Sequence, residues 1–78
     1  MFYVYCLYSL KERVFYYGYT SDLRRRFTQH TKKNNLWKLV YYEAYATESD
    51  ARRRELKLKQ YGQARSRLKA RIADSLEK

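Results

Sequence analysis

Cysteine, proline and acidic residues are scarce in this 78-residue sequence, and each shortage excludes a class of protein. Cys6 is the only cysteine, which excludes a disulfide framework and a zinc finger and fits a reducing cytoplasm. No apolar run approaches the ~18 residues that a membrane-spanning helix needs, and no signal-peptide pattern opens the chain. We therefore expect a cytoplasmic protein without a membrane partner.

The sequence contains no proline, no linker, no internal repeat and no low-complexity tract. We therefore expect residues 1–78 to form a single domain. A chain of this length buries a small core, so its stability is expected to be marginal.

Basic residues are abundant, with 18 Lys and Arg against 8 acids and a formal net charge of +10. Such a balance predicts attraction to a polyanion, of which nucleic acid is the common one. Ten tyrosines strengthen this prediction, because aromatic rings beside cations suit base stacking and phosphate binding. DNA is the expected partner, and RNA stays open as an alternative. Membrane-surface binding is disfavoured, since it needs a helix with a wider apolar face than this sequence offers.

The hydrophobic pattern predicts an α/β (α+β) domain in the order ββαβαα, with a three-stranded antiparallel sheet flanked by three helices. The first strand is apolar at both odd and even positions, which is typical of a central strand. Ser21 or Thr20 is expected to cap the first helix, and Gly62 to end the second. The predicted strands are 2–8, 14–19 and 37–45, the helices are 22–32, 47–60 and 64–76, and a polar loop covers 32–35.

Two polar residues of the first helix lie on its apolar side. At 100° per residue, Arg26 and His30 fall one turn apart on the face that carries Leu23 and Phe27. A functional interpretation places a cation and an imidazole at a site. The alternative is a boundary histidine and an arginine whose stem covers apolar surface while its charge stays in water.

A single acid, Glu55, stands among nine basic residues between Ala51 and Ala73. On a helix it falls on the side of Ala51 and Leu58, so its carboxylate is expected to point inward and to need a partner. That partner is either Arg52 or Lys59 one turn away, or a divalent cation completed by phosphate and water. Spacing alone favours the salt bridge.

Pairing of the first two strands is expected to bring Tyr5 and Tyr16 together at the start of the first helix. Two phenols, Arg26, His30 and Glu55 could then converge. Such a set can hydrolyse a phosphodiester: a metal and the arginine neutralise the phosphate, a phenol activates water, and the histidine donates a hydrogen bond. A tyrosine has an unperturbed pKa of about 10, so nearby cations must favour its phenolate. The alternative is that these tyrosines only pack in the core.

These residues also resemble the GIY-YIG nuclease family, in the small stand-alone form similar to the catalytic module of excision-repair endonucleases. Tyr3-Val4-Tyr5 resembles the first motif, although a tyrosine replaces its glycine, and Tyr16-Tyr17-Gly18 resembles the second. Arg26 followed by His30 resembles the family's first helix, and residues 37–43 its third strand. Arg54-Glu55 resembles the helix that carries a metal-binding glutamate, without the asparagine that many members place after it.

The resemblance implies a DNA endonuclease with a role in repair or recombination. It implies a single Mg²⁺ or Mn²⁺ on Glu55, Tyr5 or Tyr16 as general base, Arg26 on the phosphate and His30 assisting. Gly18 would let the backbone approach the site closely. The residues that we expect to contact nucleic acid are Gly18, Arg25, Lys32, Lys33, Lys59, Arg65 and Lys69.

Two other functions stay open. One is a non-catalytic nucleic-acid-binding domain of the same fold, and the other is a basic protein-interaction module. Cleavage that depends on metal and on Glu55 would distinguish an endonuclease from the non-catalytic binding domain. Salt-sensitive binding to DNA would distinguish that binding domain from the protein-interaction module. No base-reading element is evident, so a separate protein partner could supply targeting. The sequence does not determine the oligomeric state.

Overall fold

The computed structural model describes residues 1–33 and 36–77, and the predicted element order ββαβαα is confirmed. The predicted loop residues Asn34 and Asn35 lie outside the described residues. The predicted third helix is divided at Ile72, whose φ of −109° and ψ of 25° interrupt it. The elements are β1 Phe2–Ser9, β2 Phe15–Thr20, α1 Leu23–Lys33, β3 Trp37–Tyr45, α2 Glu48–Gln60, α3 Gly62–Arg71 and α4 Ala73–Glu77.

The sheet is antiparallel with the strand order β2-β1-β3, so β1 is central as its pattern predicts. Four consecutive β1 residues, Val4 to Leu7, are at most 1% exposed. Burial on both faces explains why this strand is apolar at odd and even positions alike. Across the β1–β2 pair Tyr5 lies opposite Gly18, and Leu7 lies opposite Tyr16.

The two faces of the sheet pack against different helices. Val4 and Cys6 contribute to the main core, which α2, α3 and the residue after α3 complete with Ala51, Leu58, Leu68 and Ile72. Side chains alternate along a strand, so Tyr5 and Leu7 point the other way, toward α1. The sheet therefore separates the main core from the surface on which Tyr5 and α1 meet.

The bounds of α1 and α2 lie within one residue of the predicted ones, but two of the predicted capping residues are wrong. Thr47 caps α2 and accepts a hydrogen bond from the Asp50 N–H at 3.3 Å. The cap of α1 is instead Asp22, whose Oδ1 accepts from the Arg25 N–H at 3.1 Å. Gly62 does not end α2, since extended Tyr61 does so and Gly62 opens α3.

Within the described ranges, no helix has the length and apolar character needed to cross a membrane.

Candidate active site

Tyr5 lies at the centre of the candidate site, and its ring covers Gly18 on the neighbouring strand. The tyrosine is 1% exposed, and the two residues are directly paired across the strands. A Cβ added to Gly18 would lie 2.5 Å from the Cζ atom of Tyr5, a separation that real side chains do not tolerate. The glycine is therefore required by the close approach of this ring rather than by its own backbone angles.

Arg26 contacts Tyr5 from helix α1. The Arg26 Nε–H donates a hydrogen bond to the Tyr5 Oη at 3.3 Å, and this bond is the main cause of a raised Arg26 pKa. Burial raises the pKa of Tyr5 and outweighs the lowering effect of Arg26. The expectation that nearby cations favour the phenolate is therefore not met at Tyr5. This phenol stays neutral near neutral pH and holds the guanidinium in place.

Tyr16 and His30 form an aromatic cluster beside this pair. Their ring centroids are 4.9 Å apart, and Trp37 lies 6.3 Å from each of them. Tyr5 also contacts both rings, at 6.2 Å from each. Tyr16 differs from Tyr5 in being 36% exposed. The strand pairing thus brings both tyrosines to His30, as the sequence predicts, but leaves only one of them open to solvent.

An open cavity of about 500 Å³ adjoins this cluster. Arg26 and Lys32 give it positive charge, and no acidic residue from the described part of the chain lines it. Such a cavity attracts an anion and surrounds it with aromatic rings and a side-chain amide. The described residues that line it are Tyr16, Arg26, Gln29, His30, Lys32 and Trp37.

Glu55 reaches this region from α2. Its side chain is 23% exposed and pairs with Lys59 at 3.2 Å, which is the salt bridge that spacing favours. The pKa of Arg26 is raised first by its hydrogen bond to Tyr5 and, to a smaller extent, by the charge of Glu55. The carboxylate therefore lies within electrostatic reach of the guanidinium, although α1 and α2 pack on different faces of the sheet.

The donor atoms around Glu55 set what metal this region could hold. Within the described parts of the chain, no three His, Cys, Asp or Glu residues cluster as metal ligands. A site built by protein ligands alone is therefore not formed by these residues. One carboxylate still fits Mg²⁺ or Mn²⁺, which keep several waters and commonly take remaining ligands from substrate phosphates. Lys59 is half-exposed and would have to leave the carboxylate.

The cations expected to contact nucleic acid differ in their exposure and in their contacts within the protein. Arg25 and Lys32 are exposed, and the side chain of Lys33 lies outside the described part of the structure. Arg65 and Lys69 also make contacts within the protein. The Arg65 Nη1 donates to the carbonyls of Leu58 and Lys59 at 2.8 and 2.9 Å, and the Lys69 Nζ lies 4.4 Å from the Phe15 ring centroid.

Three polar or aromatic residues were not predicted as part of any site. Gln29 and Trp37 line the cavity, and the signal for Gln29 is its position one turn after Arg26. Glu43 is mostly buried and binds Arg54 through three hydrogen bonds of 3.0 to 3.2 Å. Burial would raise the Glu43 pKa, but hydrogen bonds from Arg54, Tyr45 and Tyr41 lower it. This carboxylate therefore holds β3 to α2.

The fold and the cluster together define a small α/β domain with a polar, cationic site where β1 and its neighbour β2 meet helix α1. The model of the GIY-YIG catalytic domain matches residues 1–69, and the chain belongs to this family of nucleases. Among solved structures it is similar to the UPF0213 protein BH0048 from Bacillus halodurans, determined by NMR in solution. The two share 26% sequence identity over 92% of this chain and 85% of that chain, with a TM-score of 0.61. No match was found among curated proteins.

Proposed function

We propose that this chain is a metal-dependent endonuclease that hydrolyses phosphodiester bonds in DNA. The observation that carries the proposal is the meeting of Arg26, Tyr16 and His30 at one cationic cavity, with Glu55 within electrostatic reach. Membership of a nuclease family supports the same reaction class. Nucleases of this family generally use a divalent metal.

The geometry supports different roles for the two tyrosines. Tyr16 is the better general base, because it is exposed at the cavity where water and a phosphate can reach it. Tyr5 is a positioning residue, since it is buried and holds Arg26 through its phenol. Arg26 would neutralise charge on the phosphate, and His30 would hydrogen-bond a phosphate or leaving-group oxygen.

Glu55 would hold the metal, either Mg²⁺ or Mn²⁺ at a single site. When bound, the ion would supply charge neutralisation on the phosphate and a lowered pKa of bound water. The binding site would be completed by substrate, because no group of three or more His, Cys, Asp or Glu residues forms within the described part of the chain. Loss of the Lys59 salt bridge would accompany metal binding.

The test compares Glu55→Gln with Glu48→Gln, an exposed glutamate of the same helix that pairs with Arg52. Supercoiled, branched and single-stranded DNA are incubated with each protein, with and without Mg²⁺ or Mn²⁺. We expect Glu55→Gln to keep its melting temperature and DNA affinity while cleavage falls by roughly 10²-fold or more, and Glu48→Gln to cut normally. In NMR spectra with DNA present, Mn²⁺ should broaden signals near residue 55 in the parent and in Glu48→Gln, but not in Glu55→Gln.

A non-catalytic nucleic-acid-binding domain is the second candidate, and the Glu55–Lys59 salt bridge favours it. In that case Glu55→Gln changes stability and binding without any cleavage to lose, and no metal produces cutting by the parent. For the leading proposal, the cellular role is repair or recombination in the cytoplasm. A separate protein would then bring the domain to its target, since the described residues include no base-reading element.

A further inference from the structure

A second basic cavity lies between α2 and α3. Its volume is about 560 Å³, slightly more than that of the cavity at the candidate active site. Among the residues that the structure describes, four cations and the amides of two glutamines line it, and no acidic residue does. The cations are Arg54, Lys57, Arg67 and Arg71. None of them is among the single residues expected above to contact nucleic acid, although all four belong to the basic stretch between Ala51 and Ala73. We refer to this cavity as the α2–α3 groove.

The four cations of the α2–α3 groove differ in whether another side chain of the protein already neutralises their charge. Arg54 is neutralised by Glu43. Arg71 lies near Tyr41, whose pKa is raised chiefly by burial and lowered slightly by this arginine. Lys57 and Arg67 are exposed, and no salt bridge between described residues involves either of them. Two unneutralised cations, one from each helix, therefore share the groove and raise its positive potential.

The groove lies on the opposite flank of α2 from Glu55. The buried stripe of α2 consists of Ala51 and Leu58. At 100° per residue Glu55 falls on one side of this stripe and Arg54 on the other, where it binds Glu43 of β3. The groove is therefore separate from the candidate active site, and α2, about 10–12 Å across with its side chains, lies between them.

We propose that the α2–α3 groove binds backbone phosphates of the substrate nucleic acid, so that the substrate extends across α2 from the active site. That nucleic acid is the ligand of the groove rests on the proposed function, whereas the existence of the groove does not. Arginine and lysine without acidic neighbours suit phosphate, and the guanidinium can bind it through two hydrogen bonds. These contacts would position the substrate without reading its sequence.

The test compares two double variants that remove the same charges. Lys57→Gln/Arg67→Gln alters the groove, and Lys11→Gln/Arg13→Gln alters the turn between β1 and β2, outside the groove. Binding to a fluorescent 30-base-pair DNA duplex is measured in EDTA, so that no cleavage occurs, from 50 to 200 mM salt. Thermal unfolding monitored by circular dichroism confirms that each protein is folded. Lys57→Arg/Arg67→Lys keeps the charge and should bind like the parent.

We expect the groove variant to lose about one to two units of the slope of log affinity against log salt and roughly tenfold or more in affinity at 50 mM. The turn variant should lose clearly less. Equal losses in both variants would assign the effect to net charge and overturn the groove proposal. Steep binding by the parent with an unaffected groove variant overturns the groove proposal alone, whereas salt-independent parent binding overturns nucleic-acid binding as a whole. Competition by polyglutamate as effective as that by DNA would assign the groove to an acidic protein instead.

Discussion

At the scale of single residues, the contact between Gly18 and Tyr5 determines the shape of the candidate site. The ring of Tyr5 occupies the space that a side chain at position 18 would need, and its phenol binds Arg26. The phosphate-binding role proposed for Arg26 therefore depends on a residue with no side chain. Only the strand register makes this visible, because positions 5 and 18 are far apart along the chain.

We expect Gly18→Ala to destabilise the domain by about 1–3 kcal/mol, because the added methyl overpacks a buried ring. The displaced ring should also release Arg26 and weaken cleavage. Gly62→Ala is the control, since its Cβ would meet nothing closer than 3.7 Å. On the first turn of α3 it should leave stability unchanged or raise it by up to ~1 kcal/mol. Urea unfolding measures both, and equal stability of the two variants would contradict the argument.

A second residue-scale prediction concerns alkaline pH. Burial raises the pKa of both Cys6 and Tyr17 to about 12, and the Tyr17 Oη is buried without a hydrogen-bond partner among the described residues. Between pH ~9 and ~12 the unfolded chain loses these protons first, so stability falls as pH rises, by at most ~1.4 kcal/mol per pH unit for each group.

The double variant Cys6→Ala/Tyr17→Phe should therefore lose less stability than the parent between pH 8 and pH 11. Urea unfolding at several pH values measures the difference, and comparison with the parent cancels the titration of lysines and of other tyrosines. Tyr61→Phe, which alters an exposed ring, should follow the parent. Parallel curves for the parent and the double variant would contradict the predicted effect of burial.

At the scale of elements, the sequence predicts the β3 bounds, the central position of β1 and the inward side of α2 from local patterns alone. The helix ends are less predictable, because they depend on which side chain reaches the free backbone groups. Asp22 rather than Ser21 caps α1, and Arg65 folds back from α3 onto the last carbonyls of α2. This return of an arginine is a tertiary contact, so charge patterning could only suggest that it binds nucleic acid.

We expect Arg65→Ala to lower stability by about 1–2 kcal/mol, because it removes two charge-assisted hydrogen bonds from the end of α2. Arg67→Ala, on the same helix but exposed, should change stability by less than ~0.5 kcal/mol. For DNA affinity we expect the reverse order, with the larger loss in Arg67→Ala. Thermal unfolding and anisotropy titrations distinguish the two, and a larger affinity loss for Arg65→Ala would restore it as a nucleic-acid contact.

At the scale of the whole molecule, the sequence predicts which residues come together at the candidate site better than it predicts what each of them does there. Tyr5, Tyr16, Arg26 and His30 follow from strand pairing and helix periodicity, both of which are local patterns. Which tyrosine is buried depends on how α1 lies against the sheet, and the roles that we propose for Tyr5 and Tyr16 rest on that packing. The four cations of the α2–α3 groove belong to the basic stretch between Ala51 and Ala73, but only the packing of two helices selects them from its nine basic residues.

The net charge of +10 predicts that salt acts on folding and on binding with opposite signs. Self-repulsion among 18 cations opposes the compact state, and salt screens it over a Debye length of about 10 Å at 0.1 M. We therefore expect the melting temperature of the free protein to rise by a few degrees between 20 and 300 mM NaCl.

Duplex DNA should raise the melting temperature at 20 mM, because it binds the folded state, and this gain should vanish by 300 mM as phosphate contacts weaken. Uncharged sucrose, which stabilises by exclusion, should raise both curves together. A melting temperature that falls with salt in the absence of DNA would show that the four salt bridges found among the described residues outweigh self-repulsion.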